Sequence, residues 1–243
     1  MKQYIFLDAG WTLVFPDYDR LSHVAAERGY TISREQWEQA MADFGWHYDK
    51  GQSKGVDRWG VAYFLTYVLR ALKVARRDIP GMARALQRQE EIKSLWSYAY
   101  PWVYQALDSL RARGCRMSVI SNADGRVREG FEALGLAQYF EQIFDSHIVG
   151  YTKPNPALFQ QAMEKQQADP AECLYVGDLY YVDVLGANRA GMAAVHIDRF
   201  DRYAGLPGCH IHSVLALPEL LDQDPDWSEE RFFPLRDWQP EVS

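Results

Sequence analysis

The spacing of apolar residues divides the chain into a short first strand, a helical stretch and a region of alternating helices and strands. The apolar run from Tyr4 to Leu7 predicts a strand that stops at Asp8 and is followed by a turn containing Gly10. Between residues 19 and 95 no comparable run follows. Amphipathic spacing there predicts helices over 19–28, 33–49, 57–73 and 81–96, and Ser33 with Gln36 three residues later is typical of a helix N-cap.

After residue 101 helical and strand patterns alternate. The predicted helices are 102–113, 124–134, 156–166 and 181–190, and the predicted strands are 116–120, 143–144, 173–176 and 193–197. Repeated strand–helix units require parallel strands with right-handed crossovers, and such sheets bind ligands at the carboxyl ends of their strands. We therefore predict an α/β fold, a Rossmann-like parallel-sheet core with an inserted helical cap domain.

The predicted core consists of residues 1–15 and 97–221, and the predicted cap of residues 16–96. The segment 222–243 is a C-terminal extension rich in acidic residues, proline and aromatics. Such a terminus is either strapped to the core or mobile, and the sequence leaves both open.

Composition narrows the class of protein. A chain of 243 residues that is 48% hydrophobic is long and apolar enough to bury a core, and its net charge of −7 argues against nucleic acid as a partner. The first ten residues contain one lysine and a short apolar run broken by Asp8, which is typical of neither a secretion signal nor a membrane span. We expect a cytoplasmic protein without a membrane partner, a monomer or homodimer, with Cys115, Cys173 and Cys209 as reduced structural thiols.

Polar residues follow the predicted strands at the edge where ligands bind. They are Asp8 with Thr12, Ser121 with Asn122, Lys153, and Asp178 with Asp183. A carboxylate that attacks phosphorus needs a nearby cation, donors for the phosphate oxygens and a fixed line of attack, and this set supplies all three. Each member also has a structural explanation: Asp178, Asp183 and Ser121–Asn122 as helix caps, Asp8 as a residue that caps a loop, Lys153 as a solvated loop residue, and Thr12 as a turn residue.

Four motifs resemble those of the haloacid dehalogenase-like hydrolase superfamily over nearly all of residues 1–200. They are Asp8-Ala9-Gly10-Trp11-Thr12-Leu13, Val119-Ile120-Ser121-Asn122, Lys153-Pro154-Asn155-Pro156 with Phe159, and Gly177-Asp178 with Asp183. The insert between the first two motifs is similar to the helical cap of subfamily I, and the DAGxTL pattern is similar to the REG-2-like subgroup.

The resemblance implies a role for each residue at this edge. Asp8 would be the nucleophile, forming an aspartyl-phosphate and binding Mg²⁺ together with Asp178 and the backbone carbonyl at Gly10. Asp183 would bind the water shell of the metal or orient Lys153, which would neutralise phosphate and nucleophile charge. Phosphate oxygens would be bound by Thr12, Ser121, Asn122 and Lys153. Hard oxygen ligands of this kind suit Mg²⁺.

The chain departs from the family pattern at Gly10 and Trp11. Phosphatases of the superfamily usually have a second aspartate, the general acid and base, at the position of Gly10, and a glycine at that of Trp11. Glycine keeps its carbonyl for a metal but cannot transfer a proton. Since general acid–base assistance contributes ~10²–10⁴-fold, alkyl phosphates should suffer most, and acyl phosphates and phosphoanhydrides least.

Two function classes remain. The first is a Mg²⁺-dependent phosphohydrolase of a small phosphorylated metabolite, with specificity residues in the cap such as Tyr18, Trp46, Tyr48 and Trp59. The second is a weak or inactive relative that binds a phosphometabolite or a protein partner.

Two minor alternatives are a phosphonate hydrolase and a haloacid dehalogenase. The first would need Lys50 or Lys54 of the cap as a Schiff-base lysine. The acidic Gly177–Asp178 motif disfavours the second, because dehalogenases of this family need no metal and lack that arrangement.

Overall fold

The computed structural model describes residues 4–56, 60–224, 227 and 229–238. The described residues form two compact units, one containing residues 4–15 and 99–238 and the other residues 16–98. The strands are β1 (Tyr4–Leu7), β2 (Phe15–Pro16), β3 (Trp96–Tyr98), β4 (Arg116–Ser121), β5 (Gln142–Asp145), β6 (Cys173–Gly177), β7 (Ala193–Ile197) and β8 (Cys209–Ile211). The α-helices are α1 (Tyr18–Ala26), α2 (Arg34–Gln52), α3 (Val61–Ala71), α4 (Ile79–Ile92), α5 (Pro101–Ala112), α6 (Val127–Ala133), α7 (Ser146–Val149), α8 (Pro156–Gln166), α9 (Leu185–Arg189) and α10 (Leu217–Gln223).

The first unit is built on a six-stranded parallel sheet in the order β5-β4-β1-β6-β7-β8. Strand β1 lies between β4 and β6, and Leu7 pairs with both Val119 and Val176. These three residues are fully buried, as expected for a parallel sheet covered on both faces. The predicted α/β fold is confirmed, and the register brings the carboxyl ends of β1, β4 and β6 side by side.

Several predicted boundaries were wrong. The helix expected over 81–96 ends at Ile92, and residues 96–98 form β3, which pairs with β2. The helix expected over 33–49 continues to Gln52. Strand β8 was not predicted, because three residues are too short for a sequence pattern and become a strand by pairing with β7. The start of the helix predicted over 57–73 lies outside the described residues.

The second unit contains α1 to α4, and Trp37, Phe64 and Leu86 are among its fully buried side chains. Helix α2 begins with the predicted capping arrangement, since Ser33 Oγ accepts from the Gln36 N–H and the Ser33 N–H donates to Gln36 Oε1. Tyr18 is 3% exposed and Arg34 lies 4.6 Å over its ring, so Tyr18 is a packing residue of this unit.

Two other residues that were expected to set specificity, Trp46 and Tyr48, contact side chains of the same unit. Lys50 lies 5.2 Å over the ring of Trp46, and Tyr48 stacks on Phe44. Trp59 lies outside the described residues.

None of the helices in the described ranges combines the length and apolar character needed to cross a membrane. In the other unit, Cys115, Cys173 and Cys209 are buried and free, as expected of reduced thiols.

The C-terminal extension packs on the sheet unit over its described residues. Phe232 and Leu235 are 1% and 3% exposed. The side chain of Asn188 in α9 donates to the carbonyl of Phe232 (3.0 Å) and accepts from the N–H of Leu235 (3.1 Å). Trp238 lies 5.3 Å from the ring of Tyr181. Of the two alternatives that the sequence left open for the extension, the described part is strapped to the core.

Candidate active site

The carboxyl edge of the sheet places Asp8 at the end of the central strand. The Asp8 N–H donates to the carbonyl of Val176 on β6, at 2.9 Å, so the backbone continues the sheet up to this residue. The Asp8 side chain is 10% exposed, whereas those of Lys153 and Asp183 are 3% and 1% exposed. Three ionisable groups are therefore buried together at this edge, where each needs a partner of opposite charge.

Lys153 is the centre of this cluster. Its ammonium lies 2.6 Å from Asp8 Oδ1 and 2.7 Å from Asp183 Oδ1. The same nitrogen lies 2.9 Å from the Tyr175 hydroxyl and 3.2 Å from the carbonyl of Ile120. Of the two tasks expected for Asp183, the contact with Lys153 is the one that the structure shows.

Burial and charge shift the pKa values of the cluster. Burial raises the pKa of Asp8 to about 6, because removal from water outweighs the attraction of Lys153, and the charge of Asp183 adds to the rise. Burial by itself would lower the pKa of Lys153, but the charges of Asp183 and Asp8 outweigh it, so that the pKa is raised above its ordinary value. Lys153 is therefore a cation at neutral pH, where the raised pKa of Asp8 still leaves its carboxyl mostly ionised.

Three acids converge in the site. One carboxylate oxygen from each of Asp8, Asp178 and Asp183 lies within 4.8 Å of the other two. Oxygen donors at this spacing around one point fit a hard divalent cation such as Mg²⁺. A divalent cation bound there would offset the negative charge that the three carboxylates bring together.

The loop after β1 places Gly10, Trp11 and Thr12. The N–H groups of Leu13 and Val14 both donate to the carbonyl of Ala9, and Gly10 forms a β-bridge with Val14. Trp11 has φ of 57°, in the left-handed region where a glycine is least strained. Thr12 is fully buried, and in the described part of the chain its Oγ1 has no hydrogen-bond partner.

Ser121 is the last residue of β4 and Asn122 follows it, and the two side chains lie in different environments. Ser121 is 4% exposed at the strand end. Asn122 instead uses both polar atoms of its side chain on the backbone of Lys153: Oδ1 accepts from the Lys153 N–H at 2.8 Å, and Nδ2 donates to the Lys153 carbonyl at 3.0 Å. Asn122 thus fixes the loop that carries Lys153, and both of its polar side-chain atoms are engaged there instead of facing a phosphate.

The loop after β6 contains Asp178 and Asp183. A π-helical turn, Tyr180–Val184, replaces the beginning of the helix predicted over 181–190 and carries Asp183. The Leu179 N–H donates to Asp183 Oδ2 at 2.9 Å, which anchors the carboxylate. A β-carbon added to Gly177 would lie 2.5 Å from Cγ of Asp183, so this position has no room for a side chain while Asp183 stays in place.

Sequence reasoning missed two residues at the site. Tyr175 is fully buried in β6, and its hydroxyl contacts both Lys153 and Asp183. His196 in β7 lies 2.9 Å from the Asp178 carbonyl through Nε2, which must carry the proton because a carbonyl only accepts. Burial, followed by the neighbouring His210, lowers the pKa of His196 to about 4. Both residues looked like strand side chains, and only the fold shows where their polar atoms lie.

Comparison with known proteins identifies the family of this chain. The model of the haloacid dehalogenase-like hydrolases matches residues 23–191. The chain belongs to this family. The human haloacid dehalogenase-like hydrolase domain-containing protein 3 is 34% identical over 102 residues, 39% of this chain and 41% of that protein. A glyceraldehyde 3-phosphate phosphatase of Methanopyrus kandleri is 34% identical over 119 residues, 49% of this chain and 51% of the relative.

The chain thus spans about half or less of the length of the curated relatives that it matches. Among solved structures, the chain resembles the magnesium-bound crystal structure of the HAD-hydrolase YfnB from Bacillus subtilis. The match covers 91% of this chain and 99% of YfnB, with a TM-score of 0.61 and 16% identity. At that identity the likeness shows the fold, which is the fold of this hydrolase family.

Proposed function

We propose that this member of the family is a Mg²⁺-dependent phosphohydrolase of a small phosphorylated metabolite, with an aspartyl-phosphate formed on Asp8. The observation that carries the proposal is the buried contact of 2.6 Å between Asp8 and Lys153 beside the three converging acids. A buried carboxylate with a cation on one oxygen and a cation site beside it has the features that nucleophilic attack on phosphorus requires. The relative named glyceraldehyde 3-phosphate phosphatase supports a small phosphorylated substrate.

The proposed reaction has two steps. A carboxylate oxygen of Asp8 attacks phosphorus, and the bond between phosphorus and the leaving oxygen breaks with its electron pair going to the leaving group. Water then attacks phosphorus, and the bond between phosphorus and the Asp8 oxygen breaks with its electron pair returning to the carboxylate. Inorganic phosphate leaves with the protons of the attacking water or passes them to solvent.

Each residue of the cluster has a task in these steps. Lys153 holds Asp8 Oδ1 in place and offsets phosphoryl charge, and Asp183 holds Lys153. Ser121, at the end of β4, is the side chain proposed to donate to a phosphoryl oxygen. Asp8, Asp178 and the Gly10 carbonyl would hold Mg²⁺, which when bound neutralises charge on the phosphoryl oxygens.

Gly10 limits the substrates. Nothing at this position can protonate an alkoxide leaving group, and such assistance is worth ~10²–10⁴-fold. Acyl phosphates and phosphoanhydrides leave as weaker bases, so we propose that they are turned over faster than alkyl monoesters.

The decisive experiment measures phosphate release from acyl phosphates, phosphoanhydrides and alkyl monoesters, with Mg²⁺ or with EDTA. Turnover that requires the metal and disappears in Asp8→Asn would support the proposal, because the amide cannot act as the nucleophile. Folded protein that binds Mg²⁺ and turns over none of these compounds would exclude it.

A second candidate is a family member that binds a phosphometabolite or a protein partner without efficient turnover. It is favoured by Gly10 together with the left-handed conformation of Trp11, which places a large side chain in the loop after the nucleophile. Tight phosphate binding without turnover would support this alternative. The phosphonate hydrolase alternative is weakened, since Lys50 and Lys54 are exposed and lack the desolvated surroundings that a Schiff-base lysine needs.

A further inference from the structure

The ammonium of Lys153 has more acceptors around it than protons to give. Four oxygens lie within hydrogen-bond distance of Nζ, on Asp8, Asp183, Ile120 and Tyr175. An ammonium has three N–H donors. A phosphoryl oxygen entering the site would add a further acceptor, so lysine alone cannot serve every group.

The Tyr175 hydroxyl lies where it can supply the additional donor that these oxygens need. It lies 3.0 Å from Asp183 Oδ1 and 3.1 Å from the carbonyl of Ile120, the same two oxygens that Lys153 contacts. The tyrosine is fully buried, and the ring of Phe159 packs edge-on against it at 5.0 Å. The phenol therefore stays beside both acceptors, with one O–H to give to either.

We propose that Tyr175 is a positioning residue that releases a lysine N–H for the substrate, an inference that rests on the proposed phosphohydrolase function. Without substrate, lysine and phenol together have four protons for the oxygens of Asp8, Asp183, Ile120 and Tyr175. With substrate, the same four protons serve Asp8, Asp183, Ile120 and the phosphoryl oxygen. The lysine N–H that bonded the phenol turns to the phosphoryl group, and the phenol keeps its O–H on Ile120 or Asp183.

Without the phenol, Asp183 and the carbonyl of Ile120 compete with the substrate for the N–H groups of Lys153. In Tyr175→Phe the three N–H groups of Lys153 donate to Asp8, Asp183 and Ile120. A phosphoryl oxygen can then accept from Lys153 only if one of these buried acceptors loses its hydrogen bond. A buried acceptor without a partner costs enough to weaken phosphoryl binding by about 10- to 100-fold. The loss should appear in KM and in phosphate affinity more than in kcat, because the bond forms when the phosphoryl group enters.

The experiment measures inorganic phosphate binding by calorimetry in the presence of Mg²⁺, together with kcat and KM for an acyl phosphate. The control is Tyr104→Phe, which removes a hydroxyl that donates to the carbonyl of Leu134 at 2.8 Å, away from the cluster. We expect about 10- to 100-fold weaker phosphate binding in Tyr175→Phe and wild-type binding in Tyr104→Phe. If folding is impaired, the same substitutions are compared in a Gly130→Ala background. This change should stabilise α6, because alanine favours a helix more than glycine does and the added β-carbon meets no atom within 4 Å.

Equal phosphate affinity of wild type and Tyr175→Phe would overturn the inference, as would an equal loss in Tyr104→Phe. Wild-type protein that binds no phosphate would overturn it too, because no phosphoryl oxygen would then reach Lys153. Wild-type protein that binds phosphate but releases none from any substrate would overturn the phosphohydrolase proposal alone, and the binding comparison would still decide the role of Tyr175.

Discussion

Asp8 and Lys153 are 145 positions apart in the chain, yet their charged atoms lie 2.6 Å apart in a buried site. The sheet creates this contact: β1 and β4 end side by side, and Asn122 after β4 binds the Lys153 backbone through both polar atoms of its side chain. Asp183 shares the same ammonium at 2.7 Å. Asp8 and Asp183 therefore share one cation, Lys153.

Replacement of Lys153 should lower the free energy of unfolding. In Lys153→Met, Asp8 and Asp183 lose their shared partner, and removal of one member of a buried ion pair costs about 3–5 kcal/mol. Urea unfolding without metal should show this loss, whereas Lys165→Met on the exposed face of α8 should unfold like wild type. Similar stability of the two variants would mean that the acids do not depend on Lys153.

The Asp8 pKa predicts a pH dependence of stability in metal-free protein. The pKa is raised from 3.8 to about 6, so the folded state binds this proton more tightly than the unfolded state. The resulting stabilisation is complete below pH 3.8 and is lost as the pH rises through 6, with a total of about 3 kcal/mol. Urea titrations from pH 4 to 7.5 of wild type, Asp8→Asn and the exposed Asp19→Asn should show this component missing only in Asp8→Asn. A wild-type profile in Asp8→Asn would contradict it.

Gly177→Ala should displace Asp183. The added β-carbon would lie 2.5 Å from Asp183 Cγ and Oδ2, a distance that the folded site cannot keep. We expect a loss of about 1–3 kcal/mol in unfolding free energy and weaker Mg²⁺ binding by calorimetry. Gly130→Ala in α6, where the methyl group meets nothing within 4 Å, is the matched control. Unchanged Mg²⁺ affinity in Gly177→Ala would show that the position of Asp183 does not matter to the metal.

Restoring an acid at residue 10 should raise the turnover of alkyl phosphates. Gly10→Asp supplies a proton donor for the leaving alkoxide, and we expect an increase of about 10²-fold or more in kcat/KM. Acyl phosphates should gain much less, because their leaving groups need no proton. Gly10→Asn has nearly the same size without the acid and should show no gain. A gain in both variants would point to loop geometry instead of proton transfer.

Asn188 should hold the C-terminal extension. Asn188 is 2% exposed, and its side chain bonds to Met192, Phe232 and Leu235. Asn188→Ala removes these bonds and leaves buried backbone groups without partners, which should cost about 2–3 kcal/mol. Trypsin should then cut faster after Arg231 and Arg236, whereas Gln138→Ala, an exposed amide, should change neither quantity. Unchanged cleavage would mean that apolar packing alone secures the extension.

Much of the fold followed from local patterns. The apolar run of β1 and the alternation after residue 101 predicted the parallel sheet, and Ser33 with Gln36 predicted the start of α2. Strand β8 and the π-helical turn Tyr180–Val184 did not follow, because β8 depends on hydrogen bonds to β7 and the turn carries Asp183 to a distant lysine. Such partners leave no trace in local spacing.

By itself, the sequence determined which groups reach the carboxyl edge, since strand ends and turn residues are local properties that place Asp8, Ser121 and Asp178 there. The tertiary structure alone decided which atoms meet. It placed the Tyr175 hydroxyl on Lys153 and Asp183, the His196 ring on the Asp178 carbonyl, and the Asn122 amide on the Lys153 backbone. The reason is physical: such contacts depend on side-chain direction and on distances between strands that are far apart in the chain, and both are set by packing.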